Sequence, residues 1–120
     1  MKKQFRIKKN ETIKAVLNKR DSRKDGFFSV FKKKNNLAHF RYAISVPSKY
    51  GTAVKRNRIK RQLRMILQSL HIEDSVDIFI IVHQKADTLN YWQQKTKIQH
   101  LLKRHGIAMN NSQEVKTNET

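Results

Sequence analysis

The chain has 120 residues, room for one small domain with a modest core. It holds no cysteine, which excludes disulfides, thiolate catalysis and cysteine-ligated zinc. Its 27 lysines and arginines face only 9 acids, a net charge of +18 that a compact domain tolerates best against a polyanion, most commonly nucleic acid.

Residues 1–9 read as a basic arm. No apolar segment follows, so no secretory signal is expected, and no run approaches the roughly 18–20 apolar residues of a spanning helix. Asn10 is placed to cap a short helix, ETIKAVLNKR, whose Ile13, Val16 and Leu17 fall at i, i+3, i+4. DSRKDG breaks it. FFSVFKK, from Phe27 to Lys33, reads as a strand with Phe28 and Val30 on one face and Phe27 and Phe31 on the other. After a KKNN turn, HFRYAISV (His39 to Val46) alternates: Phe40, Tyr42, Ile44 and Val46 face one way, Arg41, Ala43 and Ser45 the other. These two strands are expected to pair as a hairpin. PSKYG carries the only proline and turns the chain into a long helix, from about Thr52 to Leu70. SVDIFIIV (Ser75 to Val82) is an almost unbroken apolar run, as expected of a central strand buried on both faces. HQKADTLN leads into a last helix, from about Asn90 to Lys103, with Trp92, Ile98, Leu101 and Leu102 as its apolar side. From Gly106 the sequence turns polar and aperiodic.

The expected organisation is one α+β domain over residues 1–105 and a flexible polar tail over 106–120. The order is α-β-β-α-β-α, a small sheet with helices packed on it. No repeat or second domain is visible.

The charge is concentrated in the middle. No acid occurs between Asp25 and Glu73. On a helical wheel Ile59, Leu63, Ile66, Leu67 and Leu70 share one arc, the core face. Lys60, Arg64, Asn57 and Arg61 lie side by side on the adjoining arc. Arg58 lies beyond them, and Arg56 borders the core face. Solvated helix faces normally mix signs and gain i, i+4 pairs; this one has no acid to pair with. Such a stripe is suited to phosphates, because arginine presents two parallel donors and lysine a point charge. Asn57 adds a group for a base edge, a 2′-hydroxyl or a water-bridged ion. Lys49, Lys55 and the helix N-terminus near Thr52 extend the positive surface. A membrane-surface helix would need its apolar arc free to insert, and here the core takes that arc.

KYGTAVKRNRIKRQLR closely resembles the signature of the bacterial ribonuclease P protein subunit. In that family a turn and a glycine lead into a helix with an arginine-asparagine run; here the run is Arg56, Asn57, Arg58, Lys60, Arg61 and Arg64. RIKKNETI, FRYAISV and DIFIIVHQKA resemble the family's flanking segments, so the likeness covers about residues 5 to 103. The resemblance implies an α-β-β-α-β-α fold, shared with a ribosomal-protein domain, that has a left-handed βαβ crossover where most such units are right-handed. It implies a cytoplasmic ribonucleoprotein in which a catalytic RNA holds Mg2+ and removes the 5′ leader of precursor tRNA. The protein would bind ribonuclease P RNA through the signature helix and grip the leader in a cleft between the first helix and the sheet. It would act without a protein partner and would not itself be the nuclease. Matching positions for the cleft are Ile13, Leu17, Phe28, Val30, Tyr42, His83 and Lys85; metal ligands are not assigned. The sequence departs from the family at Ile13 and Leu17, where aromatics are usual, at Pro47-Ser48-Lys49, where more cations are usual, and at His83-Gln84, where arginine is usual. A structural RNA-binding protein of ribosomal type is the alternative.

Five histidines occur, His39, His71, His83, His100 and His105, and no spacing pairs them with each other or with a carboxylate as a protein ribonuclease requires. Asp74, Asp77 and Asp87 read as turn and cap residues. No glycine-rich phosphate loop is present.

Overall fold

The structure is a computed structural model and describes residues 3–109. It is arranged around β5 (Val76–Val82). β2 (Phe28–Lys34) pairs antiparallel with one edge of β5, Val30 opposite Ile80. β3 (Arg41–Ser45) pairs parallel with the other edge, Ile44 opposite Ile80. β1 (Ser22–Lys24) flanks β2, giving the order β1-β2-β5-β3. The hairpin expected between β2 and β3 therefore does not form: β5 stands between them. A strand that is apolar on both faces gains most where both edges and both faces are covered, and β5 is the strand of that kind. β3 is left at the edge.

Helices cover both faces. Beneath one, α2 (Ala53–Ser69) and α3 (Tyr91–Arg104) bury Ile59, Leu63, Ile66, Leu67, Ile98, Leu101 and Leu102 against Phe28, Val30, Tyr42, Ile78, Ile80 and Val82. On the other, α1 (Asn10–Lys19) brings Val16 to Ala43 and Phe79, with Ile7 beside them. Each large aliphatic side chain so buried contributes about 1.5–3 kcal/mol. α2 connects parallel neighbours β3 and β5, a crossover that needs the length of a helix.

Local chemistry sets the ends. Thr52 Oγ1 accepts from the Lys55 amide at 3.3 Å and caps α2. Asn90 and Gln93 form a reciprocal capping box at α3. Asn10 does not cap α1; Lys9 holds that position without a side-chain bond, and Asn10 begins the helix. Trp92 was expected on the apolar side of α3 but is exposed. Six residues from Ile98, it is turned about 240° around a helix of 3.6 residues per turn.

Ordered structure runs past the expected boundary at 105. Ile107 is buried, and β6 (Ala108–Met109) pairs with β4 (His71–Ile72). The remainder of the expected tail, 110–120, lies outside the described residues, as do the first two residues of the basic arm. The rest of the arm is anchored: the Ile7 amide donates to Tyr42 O at 2.8 Å, on the free edge of β3. Asp77, buried in β5, accepts two hydrogen bonds from the Arg41 guanidinium (2.9 and 2.8 Å) and one from Asn35 (2.7 Å). Among the described residues no helix is long and apolar enough to cross a membrane.

Candidate nucleic-acid interface

The buried side chains of α2 fall at i, i+4, i+7 and i+8, and they fix which flank meets solvent. Asn57, Arg58 and Arg61 are exposed, and Lys60 and Arg64 are half-buried beside them. Asn57, Lys60, Arg61 and Arg64 make no hydrogen bond or ion pair with any described residue. The row that the wheel places on one arc is thus displayed without protein partners.

Its first turn is different. Arg56 Nη1 donates to Gly51 O at 2.7 Å and to Ser48 O at 3.3 Å, so this guanidinium ties the preceding turn to the helix. Lys55 Nζ lies 3.2 Å from Asp87 Oδ2, a half-exposed pair at the end of the row. Tyr50 packs under this corner. Burial, reinforced by Asp87 and opposed by Arg58, holds its phenol above the ordinary value, so it remains protonated. Lys49 is exposed in the turn.

A groove of about 420 Å3 follows the free edge of β3. Ala43, Ser45 and Phe79 line its floor, Arg6 and Ile13 one side, and Lys60 and Arg64 the other. Two half-buried cations of the α2 row therefore also face the sheet groove. A polyanion lying on α2 and a strand lying along β3 would share them.

The cleft expected from sequence is split by the sheet. Ile13 and Leu17 lie on the α1 face, as does His83, whose Nε2 is 2.6 Å from Ser29 Oγ. Phe28, Val30 and Tyr42 point the opposite way and are 0%, 0% and 4% exposed in the core under α2 and α3. Phe28 and Val30 present no side-chain surface to a ligand; Tyr42, though its ring is in the core, also lines the groove along β3. Alternation separates the two faces of a strand but does not say which face a distant helix covers. Lys85 is exposed and sits over the Phe27 ring, 5.0 Å from its centroid. The groove residues missed include Arg6, Ala43, Ser45 and Phe79. Ser45 was legible, since it alternates with Tyr42. Phe79 was hidden in an apolar run whose one acid, Asp77, falls on the same face.

The Ser29–His83 pair resembles part of a nucleophilic dyad. Ser29 is buried, however, and no carboxylate hydrogen-bonds His83 to orient it, so the contact satisfies a buried hydroxyl. Among the described residues no three His, Asp or Glu side chains converge to hold a metal ion.

The family model described as Ribonuclease P matches residues 1–106. The Ribonuclease P protein component of Streptococcus pneumoniae is 36% identical over 105 residues, spanning 86% of this chain and 85% of the relative. Among solved structures, the RNase P protein of Staphylococcus aureus superimposes with a TM-score of 0.77 at 36% identity, over 86% of this chain and 96% of that one. The RNase P protein from Thermotoga maritima gives 0.76 at 28% identity, over 82% and 96%.

Proposed function

The chain belongs to the ribonuclease P protein family, and on that premise we propose that it binds the catalytic RNA of a bacterial ribonuclease P along the exposed flank of α2. The observation that carries this reading is the acid-free row of Asn57, Lys60, Arg61 and Arg64, which the protein leaves without internal partners. Phosphates of a folded RNA supply those partners, and release of their counterions drives association. Arg58 and Lys49 extend the contact. Arg56 and Lys55 contribute from fixed positions.

The groove along β3 takes the single-stranded 5′ leader of precursor tRNA. Its floor offers apolar surface and the Ser45 hydroxyl, and Arg6, Lys60 and Arg64 lie where a sugar-phosphate backbone would pass. The chain binds and orients; hydrolysis of the phosphodiester belongs to the RNA. Mg2+ is held mainly by the RNA as well; in the protein, Asp77 is committed to Arg41 and Asn35, and Asp87 to Lys55. The setting is the cytoplasm, and no protein partner is required.

Reconstitution tests the proposal. Added to bacterial ribonuclease P RNA, the purified chain should lower the magnesium needed to cut precursor tRNA and should tighten substrate binding. An unchanged magnesium requirement, or purification with ribosomal RNA instead, would refute it.

A further inference from the structure

Trp92 is the only tryptophan of the chain, and 68% of it is exposed in the first turn of α3. Its surroundings are cationic. Lys95 Nζ lies 5.7 Å from its ring centroid, and Tyr91 packs edge-on at 5.1 Å. A groove of about 480 Å3 separates Trp92 from Phe27 and is lined also by Thr96 and Lys97, with no acid. The Phe27 ring gathers two ammonium groups, Lys97 at 4.4 Å and Lys85 at 5.0 Å. The ring's quadrupole attracts both, but the two like charges repel, and a phosphate between them removes that repulsion.

Backbone pairing links this place to the groove along β3. Ser45, on that groove's floor, is in register with Ile81, and Ile81 with Ser29. Ser29 bonds His83, and the His83 amide donates to Phe27 O at 2.9 Å. Neighbouring strands stand about 4.8 Å apart, so the row crosses from β3 to β2 in about 10 Å.

We propose that Trp92, with Lys95 and Lys97, is a stacking platform for an unpaired base of the 5′ leader beyond the part held along β3. The inference rests on the leader reading of that groove. Base stacking on an exposed indole is indifferent to sequence, because every base presents a π-face. The platform therefore adds affinity for longer leaders without adding sequence preference.

Trp92 emission reads the site directly, since no other indole is present. The chain is titrated with single-stranded oligoribonucleotides of about 4 and about 12 nucleotides, with binding followed independently by anisotropy. The long strand should quench the emission and the short one should not. Trp92→Ala should weaken the long strand about 5- to 100-fold, leave the short strand unchanged, and keep the melting curve of the parent; Trp92→Phe should restore part of the loss. Lys97→Ala should flatten the salt dependence for the long strand by about 0.7 in log–log slope. Unchanged emission while anisotropy reports saturation would overturn the platform and leave the groove intact. Failure of both strands to bind would overturn the groove reading and the platform with it. Quenching by ribonuclease P RNA alone, or a change in sedimentation of the RNA-free Trp92→Ala protein, would assign the surface to that RNA or to a second copy and overturn the leader assignment.

Discussion

Arg61 and Arg64 stand one turn apart on α2, and removing either guanidinium leaves no described group unsatisfied. Arg61→Ala and Arg64→Ala should therefore stay within about 0.5 kcal/mol of the parent in denaturant melts. Arg56 is different, because its guanidinium holds Ser48 O and Gly51 O. Arg56→Ala should cost about 1 kcal/mol of stability in the same melts as well as RNA affinity. Asp77 is the opposite extreme. Asp77→Ala strands the Arg41 guanidinium and the Asn35 amide near the core and should cost about 3 kcal/mol. His105 gives the fold a pH response. Burial pushes its pKa down, partly offset by its hydrogen bond with Val30 O and by Asp21, while Arg23 and Lys32 push it lower. The folded form therefore resists the proton that the unfolded chain accepts near its ordinary value of about 6.5. This contribution to stability is present above that pH and is lost as the pH falls through it toward the lower folded pKa. Thermal melts between neutral and mildly acidic pH should show the loss, and His105→Gln should flatten it.

At the scale of elements, α2 was the most legible part of the chain. Its leucine spacing and its missing acids are local, and local signals survive without knowledge of neighbours. β5 was legible as central for the same reason, since an almost unbroken apolar run has to be covered on both sides. Pairing was not legible. Alternation in β2 and β3 gives two faces each but no partner, and a hairpin is the cheapest closure until a better central strand competes for both edges. The same gap misplaced Phe28 and Val30 in the cleft, because nothing local says that α1 packs over Phe79 and Ala43 rather than over them. Ile107 and Ala108 were overlooked because the short apolar segment Ile107 to Met109 leads directly into a polar run. One mutation separates the two roles of α2. Leu63 is fully buried, so Leu63→Ala should cost about 2–5 kcal/mol in urea melts. RNA affinity of the fraction that remains folded should not change, because the stripe lies on another arc.

For the whole molecule, the net charge of +18 is a cost to folding and, under the proposed function, the source of binding. The protein meets it with a small sheet covered on both faces, and it leaves one helical flank open beside the groove along β3. That adjacency places Lys60 and Arg64 against both surfaces, so that under the proposed function one small domain would join RNA binding to leader binding. The most direct test is the salt dependence of affinity for ribonuclease P RNA, measured for the parent and for the Arg61→Ala/Arg64→Ala double variant. The parent slope should be steep, and the double variant should be shallower by about 1.4–1.8 in log–log slope, two phosphates fewer. Identical slopes for the two proteins would place the RNA somewhere other than on α2.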